Sequence, residues 1–293
     1  MQKRVFLLWL MLVPKLGLNG RYRIFQALEE ERDEISSIES KGLVLTVGFK
    51  FREIDAEVVT WLNEDHQQEL EQLLQTQFLT IMDECYPDCF RDSPLPPIVL
   101  FYQGDLNLLT TPRLGIVGAR KHSAYGTYIV QTWVPKLVEA GLTTVSGLAQ
   151  GIDGLVHSLT LDARGKTIAV IGTGLNQVYP KRPRELQSEI GQYGLVLSEY
   201  LPNERGLKHH FPERNRLIAS LSEHLLIIEA RARSGTLITA NQALDDNKGV
   251  MAVPGRVDAP LSRGCNELIV EGAQPVLTVS DVLTVFAETH WVN

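Results

Sequence analysis

The sequence contains few cysteines, and their spacing fits neither a metal site nor a disulfide framework. Only 3 of the 293 residues are cysteine, and no CxxC pair occurs. Cys85 and Cys89 have no second pair of ligands, because His66 lies far upstream. Cys265 has no histidine partner in the sequence and is expected to be a buried structural thiol. We therefore expect no metal, no cofactor, and a reducing, cytoplasmic compartment.

Two nucleotide-binding motifs are also missing. No GxxxxGK[ST] stretch is present, which excludes a P-loop ATPase at the level of the motif. Gly172-Thr173-Gly174 lacks the third glycine of a dinucleotide fingerprint, since position 177 is Gln. It also follows the third strand of the predicted sheet instead of opening the fold, which argues against NAD or FAD.

A long hydrophobic run is absent too. Lys3 and Arg4 precede nine apolar residues, 5–13, which superficially resemble a signal peptide. The run stops at Pro14 and Lys15, is too short to span a bilayer, and has no small-x-small cleavage site after it. We expect a buried helix here and no membrane association.

Basic residues are in the minority, but they are unevenly distributed. Residues 1–90 carry 9 Lys/Arg and 16 Asp/Glu, whereas residues 91–293 carry 19 of each, so the net charge of −7 comes from the first part. The acidic pI of about 5.6 would ordinarily argue against a nucleic-acid partner. The neutral second part removes that objection, because a local basic surface can still attract a polyanion.

Short apolar runs ending on a glycine or a small polar residue recur from residue 114 onward. They are LGIVG (114–118), TTVSG (143–147), TIAVIG (167–172), GLVLSE (194–199), HLLIIEA (224–230), VMAVPG (250–255) and PVLTV (275–279). Segments of helical length and period separate them. This alternation predicts an α/β fold, an extended Rossmann-like and mostly parallel sheet with helices on both faces. Ligands bind such sheets at the carboxyl ends of the strands.

The predicted domains follow from these patterns. Residues 1–82 are expected to form a small helical domain, with a turn at 14–20 and a second helix at 21–30. Residues 83–113 contain Pro87, Pro94, Pro96, Pro97 and Pro112, and are expected to be a linker that includes a first strand at 98–102. Residues 114–293 then form the Rossmann-like domain.

Twelve of the 19 basic residues of the second part fall in segments expected at or near the strand ends. They are Arg120, Lys121, Lys181, Arg182, Arg184, Lys208, Arg214, Arg216, Arg231, Arg233, Arg256 and Arg263. Solvated loops are often charged for no other reason. Acidic residues do not cluster there to the same degree, which favours a polyanion-binding edge.

Three segments of this edge have the chemistry of phosphate binding. Gly118 lets the backbone approach a ligand, and Arg120 supplies a planar fork for phosphate oxygens. Ser146 and Gly147 begin the turn SGLAQGID, whose free N–H groups attract anions at a helix start, with Asp153 as the expected N-cap rather than a catalytic acid. Ser234-Gly235-Thr236 opens another helix after two arginines.

The densest cluster runs from His209 to Arg216. Arg214, Asn215 and Arg216 are expected at a helix start after Pro212, where side chains and helix end contact phosphates. Phe211 offers a flat face on which a base can stack. The alternative is that Phe211 belongs to the core and that one arginine pairs with a glutamate, Glu199 or Glu213.

In order along the chain, SGLAQGID with His157, Tyr179-Pro180, FPERNR, SGTLITA, VPG and GCNELIVEGA resemble the DprA (Smf) family of bacterial DNA-processing proteins. The match covers residues 86–285. The resemblance implies a protein, not an enzyme, that binds and protects single-stranded DNA, loads the RecA recombinase onto it during natural transformation and recombination, and forms a homodimer.

Carried over by position, the family's DNA-contacting residues fall on Arg120, Lys181, Lys208 and the element 214–216. The resemblance places self-association and RecA contact in the late segment around 264–273. It also implies a sterile-alpha-motif-like or helix-hairpin-helix-like domain at 1–80. Many relatives carry a further winged-helix-like domain, whose functions are not expected here because the chain ends at Asn293.

The alternative function is an enzyme on the same sheet. The sheet also resembles nucleotide phosphoribohydrolases, which place a catalytic glutamate shortly after a glycine-rich loop. In this sequence Ile238 and Thr239 stand where that acid is needed. Glu199 and Glu229 remain as acidic candidates near strand ends.

Overall fold

The computed structural model describes residues 1–28, 33–50, 54–178 and 184–290 of the chain. Its contacts divide the chain into two compact units. The first comprises Met1–Tyr102 with Glu199–Pro202, and the second comprises Gln103–Ser198 with Asn203–Asn293. The domain limits expected from the sequence, near residues 82 and 114, stay a prediction. Within the described residues, no helix has the length and apolar character needed to cross a membrane.

The first unit is mainly helical. Its helices are α1 (Lys3–Leu10), α2 (Leu18–Gln26), α3 (Ser37–Leu43), α4 (Ala56–Leu62), α5 (Gln67–Leu74) and α6 (Asp88–Arg91), with a π-helical turn at Val44–Gly48. Strand β1 (Phe78–Thr80) pairs antiparallel with the beginning of β2 (Val99–Gly104). The apolar run at 5–13 lies in and after α1, and Phe6, Leu7 and Leu8 are fully buried, as the sequence predicts for a buried helix.

The second unit is built on parallel strands. They are β3 (Arg113–Val117), β4 (Thr143–Ser146), β5 (Thr167–Ile171), β6 (Leu195–Ser198), β7 (His224–Ile227), β8 (Gly249–Ala252) and β9 (Gln274–Pro275). Their spatial order is β6-β5-β4-β3-β7-β8-β9. The chain thus builds outward from β3 in one direction and then crosses to the other side of β3 to add β7.

Helices cover both faces of this sheet, which confirms the predicted fold class. The connections are α7 (Ala124–Glu139), α8 (Ile152–Asp162), α9 (Arg184–Tyr193), α10 (His210–Leu221), α11 (Gly235–Asp245), α12 (Arg263–Val270) and α13 (Val279–His290), with a 3₁₀ turn at Leu106–Thr110 before β3. Alternate strand residues such as Leu114, Ile116 and Leu226 pack with α7, α8 and α13. Helices α10 and α11 pack together against the strands from the other side.

Element boundaries near the two ends of the chain differ from the sequence prediction. Helix α2 begins at Leu18, inside the segment expected to be a turn, because Gly17 occupies its N-cap with extended backbone. The last predicted strand, 275–279, is reduced to Gln274–Pro275. There the carboxylate of Asp281 accepts the N–H groups of Leu277 and Thr278 at 2.8 Å, so the chain turns into α13 instead of extending the strand.

Candidate nucleic-acid interface

The carboxyl ends of the parallel strands lie at one edge of the second unit, here called the carboxyl edge. Strand β3 continues into loop 118–123 and helix α7, whereas the neighbouring strand β7 continues into loop 228–234 and helix α11. The two loops lie side by side where the strand order reverses, a place here called the crevice, and helices α7 and α11 leave it toward opposite faces of the sheet. Open α/β sheets bind ligands at this point.

Loop 118–123 is held by close backbone contacts. A Cβ on Gly118 would lie 2.7 Å from Ile152 Cγ1, so only glycine fits there without displacement. Gly151 has φ +95°, and a Cβ at that position would lie 2.4 Å from the Ala119 carbonyl oxygen. The Ile152 N–H donates to the same oxygen at 3.3 Å. These contacts fix the loop against the start of α8 and leave the Arg120 side chain exposed.

Sequence reasoning missed the polar contact that ends this loop. Ser123 is the N-cap of α7, and its Oγ accepts the N–H groups of Tyr125 and Gly126. The Ser123 backbone N–H donates to Glu229 Oε2 at 2.9 Å, and its hydroxyl donates to Glu229 Oε1. Glu229 is only 2% exposed, so the carboxylate left open as an acid candidate anchors loop 118–123 to the end of β7. A serine immediately before a helical pattern was the available signal.

Ser146 and Gly147 do not face a ligand. The Ser146 hydroxyl donates to the Ile116 carbonyl at 2.7 Å, and the residue is fully buried. A Cβ on Gly147 would lie 2.6 Å from Arg214 Nη1, so the absent side chain makes room for a guanidinium. The predicted direct phosphate contacts of these two residues are therefore corrected to a structural role.

Arg214 also differs from the prediction. It is 4% exposed, and its Nη1 donates to the carbonyl oxygens of Gly147 and Val170 at the ends of β4 and β5. Helix α10 begins at His210, not after Pro212, which places Arg214 in its second turn. There it shares a face with Leu217, Ile218 and Leu221, which are all buried. The side chain points into the fold, where it joins two strand ends, and is not available to phosphates.

A buried carboxylate accompanies this buried guanidinium. Asp153 is 7% exposed and lies in the first turn of α8, whose N-cap is Gly151, so the predicted N-cap role of Asp153 is wrong. Burial raises the pKa of Asp153, while the charge of Arg214 and backbone N–H groups of Gly118, Gly147 and Ala149 oppose that rise. The pair forms a polar layer beneath the carboxyl edge.

His157 belongs to the same layer. It is fully buried on α8, and its Nδ1 lies 2.6 Å from the Thr167 hydroxyl, which in turn bonds to Thr144 on β4. Burial, and after it the nearby charge of Arg214, lowers the pKa of His157 to about 3. The imidazole is therefore neutral at physiological pH and serves the scaffold.

Asn215 connects this layer to helix α11. Its Oδ1 accepts from Arg214 Nε at 3.1 Å, and its Nδ2 donates to the Gly235 carbonyl at 3.4 Å. Thr236, the next residue, donates its hydroxyl to the Gly118 carbonyl at 3.2 Å. The start of α11 is thus tied both to α10 and to loop 118–123, directly at the crevice.

Helix α11 begins at Gly235, within the segment predicted to open a helix, and its N-cap is Ser234. The Ser234 side chain makes no capping bond, and its buried Oγ has no hydrogen-bond partner among the described residues. Arg231 and Arg233 are exposed in the loop before it, and Arg233 adopts a left-handed φ of 57°. Strained non-glycine residues concentrate at functional sites. Open N–H groups at a helix start and two arginines favour an anion.

An exposed cation of the crevice, Arg120, lies over an aromatic ring. The Arg120 guanidinium carbon is 5.6 Å from the centroid of Phe211, within cation–π range. Phe211 is half-buried, and Cβ atoms built on Gly172 and Gly206 would lie 3.2 and 3.4 Å from its ring. Both alternatives for Phe211 thus hold in part, because the ring packs on two glycines and still contacts Arg120. Lys208, three residues earlier, is exposed.

The remaining basic residues differ in what they offer. Arg216 is half-buried on α10. Arg256 and Arg263 are exposed but pair with Asp258 at 2.8 Å and Glu267 at 2.9 Å. Lys181 and Arg182 lie outside the described residues, as does the side chain of Arg184.

The expectations for cysteine and metal chemistry can be compared with the geometry. Cys265 is fully buried, and burial raises the pKa of its thiol to about 12, which makes it an inert structural group as predicted. Cys85 is exposed and Cys89 half-buried. Within the described ranges, no three His, Cys, Asp or Glu side chains come together in a way that could hold a metal ion.

Comparison with known proteins identifies the family. The family model for DNA recombination-mediator protein A matches residues 77–287. The chain belongs to this family. It is 47% identical to the DNA processing protein DprA of Streptococcus pneumoniae strain ATCC BAA-255 / R6 over 71% of this chain and 73% of that protein. The predicted membership in the DprA family is confirmed.

Two solved structures of the family show the same fold. The X-ray structure of DNA processing protein A from Streptococcus pneumoniae superposes with a TM-score of 0.87 at 36% identity, covering 97% of this chain and 98% of that one. The Helicobacter pylori protein has a TM-score of 0.66 at 30% identity, covering 73% and 98%. That structure is described as revealing a unique single-stranded DNA binding mode. The relatives are named DNA processing proteins, and the family model describes a recombination mediator.

Proposed function

We propose that this protein binds single-stranded DNA at the crevice of the carboxyl edge, without sequence preference. The observation that carries the proposal is the exposed Arg120 guanidinium over the Phe211 ring, two residues beyond the Gly118 carbonyl that accepts from Thr236. A cation, an aromatic face and a helix start therefore lie at one switch point. Single strands are bound by this combination of phosphate contacts and base stacking.

The residues of the crevice have different proposed roles. Arg120, Lys208 and the start of α11 at Ser234-Gly235-Thr236 contact phosphates, and Phe211 stacks on a base. Gly118, Ser146, Gly147, Arg214 and Asn215 position these groups from within the fold. We further propose that Lys181, which the family resemblance implicates, adds a phosphate contact. The single-stranded DNA binding described for the Helicobacter pylori relative supports the class of ligand that we propose.

The test is fluorescence anisotropy of a labelled oligo-dT across a salt series. Arg120→Ala and Lys208→Ala are each expected to weaken binding to all sequences and to lower the salt slope by about one unit, because each removes one phosphate contact. Lys136→Ala is the matched control, since Lys136 is exposed in the last turn of α7, away from the carboxyl edge. Unchanged slopes in both edge variants would remove the crevice as the binding site.

We also propose that the protein forms a homodimer through the region of α12 and β9. Val257, Val270 and Leu277 are 93%, 88% and 72% exposed, and β9 is an edge strand of the second unit. Exposed apolar side chains beside an open strand edge favour pairing with a second copy. Val270→Asp is expected to shift the sedimentation of the protein to monomer. A dimer that persists in this variant places the interface elsewhere.

Finally, we propose that the protein loads RecA onto the strand in the cytoplasm. The family description as a recombination mediator supports this step. The test is RecA ATPase activity on DNA covered with single-strand-binding protein. Addition of the wild-type protein is expected to shorten the lag, and Arg120→Ala is expected to lengthen it again. A lag unaffected by the wild-type protein would contradict RecA loading and leave DNA binding untouched.

A further inference from the structure

Helix α7 presents two large aromatic side chains to solvent immediately after loop 118–123. Tyr125 is 41% exposed and Tyr128 is 63% exposed. Three residues apart on a helix, they lie on one face. Ile129, Val130 and Trp133 of the same helix are buried, whereas the rings of Tyr125 and Tyr128 stay partly open to solvent beside that buried face. Large aromatic side chains contribute most to a binding energy when another surface covers them, so a ligand that covered these two rings would gain affinity from them.

The position of Tyr125 is fixed by a distant contact. Its hydroxyl donates to the Pro254 carbonyl at 2.9 Å, which joins α7 to the loop after β8. The helix start itself is held by the Ser123 cap and the Glu229 carboxylate. The rings are therefore carried by a rigid element. A rigid aromatic platform loses little conformational entropy on binding.

The charges around this face match a polyanion. Arg120 and Lys121 are exposed directly before the helix, and the first turn of α7 contains no acidic residue. The nearby Glu229 is buried against Ser123, and Asp258 pairs with Arg256 at 2.8 Å. Single-strand binding surfaces combine positive charge with aromatic side chains on which bases can stack.

We propose that Tyr125 and Tyr128 form a second stacking platform, on which the bases of a single strand continue beyond the Arg120–Phe211 crevice. The proposal rests on the proposed function, because the strand reaches the platform from Arg120 along the same loop. It adds an aromatic surface on the other side of loop 118–123. The ligand is single-stranded nucleic acid, recognised by its phosphates and base faces without sequence readout.

The experiment measures binding of a labelled dT20 strand by anisotropy at fixed salt. Tyr128→Ala is expected to weaken binding about fivefold or more, the lower end of the effect of losing one stacked base. Tyr128→Phe is expected to bind like the wild type, because it keeps the ring. Tyr193→Ala is the matched control, since Tyr193 is 57% exposed at the end of α9, before the amino end of β6.

A second readout locates the contact directly. Irradiation of a strand containing 5-iodouracil is expected to crosslink Tyr128 in the full-length protein, and peptide mass spectrometry identifies the site. If Tyr128→Ala binds like Tyr193→Ala while Arg120→Ala is weakened, the platform is rejected and the crevice stands. If the wild type fails to bind dT20, the proposed function fails with it. A Tyr128→Ala variant that alters sedimentation but not DNA affinity assigns the face to a second copy and overturns the proposal.

Discussion

Two basic regions of the carboxyl edge have similar sequence character and opposite placement. Loop 118–123 carries Arg120 into solvent over an aromatic ring, whereas the second turn of α10 carries Arg214 into the fold against two strand-end carbonyls. Both arginines belong to the cluster that the sequence places at the strand ends. The comparison teaches that positive charge at such an edge has two placements, one open to a ligand and one that holds the strand ends together.

The structural role of Arg214 would be contradicted if Arg214 could be removed without loss of stability. Arg214→Ala is expected to destabilise the protein by about 3–5 kcal/mol, because it leaves the Asp153 carboxyl buried without its nearest charge. Arg120→Ala, an exposed substitution, is expected to change stability by no more than about 0.5 kcal/mol. Urea unfolding of both variants provides the measurement. Equal stabilities would show that the two arginines do not differ in role.

A second variant, at Gly147, tests the packing around the buried Arg214 side chain. Gly147→Ala places a methyl group against the Arg214 guanidinium, at a built distance of 2.6 Å from Nη1. We expect overpacking to cost about 1–3 kcal/mol, again in urea unfolding. Gly235→Ala is the matched control, because no atom lies within 4 Å of a Cβ built on Gly235. An equal destabilisation in both variants would contradict the close packing of Arg214 against Gly147.

Phe211 links the two regions, because it lies on α10 like Arg214 and its ring contacts Arg120. Phe211→Leu keeps an apolar side chain near Gly172 and Gly206 but removes the flat face under Arg120. We expect a loss of about 1–3 kcal/mol in single-strand affinity, with a smaller change in thermal stability. Anisotropy and thermal melting, run on one preparation, separate the two effects. A large fall in melting temperature with unchanged affinity would assign the ring to the core alone.

The smallest expected effect concerns pH. His157 has a folded-state pKa of about 3 against an ordinary value of 6.5, so between these values the unfolded chain binds more protons than the folded one. Stability is therefore fully present above about pH 6.5 and falls on acidification, by at most about 1.4 kcal/mol per pH unit. Urea unfolding at pH 7.5 and 5.5 measures this fall, and His157→Gln is expected to reduce it. A fall of the same size in His157→Gln would point to another group.

Much of the fold could be predicted from the sequence because the strands are buried on both faces. Near-continuous runs such as 167–172 have no other stable environment, and their glycines mark the strand ends. Arg120 could be predicted at the site, since it directly follows the first parallel strand. The short run at 275–279 was ambiguous, because apolar periodicity over so few residues does not separate a strand from the start of a helix.

The direction of Arg214 could not be predicted from residue type alone, but the sequence contains a signal. Arg214 precedes Leu217, Ile218 and Leu221 at helical spacing, so a helix beginning at His210 places the arginine on the apolar face. Placing the start after Pro212 obscured that pattern. Asp153 follows the same logic, because it shares a face of α8 with Val156 and His157, which are buried.

The hydrogen bonds that join the strand ends at the carboxyl edge have a consequence for folding. Arg214 reaches Gly147 and Val170 across 67 and 44 positions of the chain, and Thr236 reaches Gly118 across 118. Contacts between residues so far apart in sequence form slowly, after chain entropy has been lost. The crevice therefore exists only once both halves of the sheet have docked. A nascent or partly folded chain lacks this edge, so the proposed DNA binding is expected to appear during refolding only when the fold is complete.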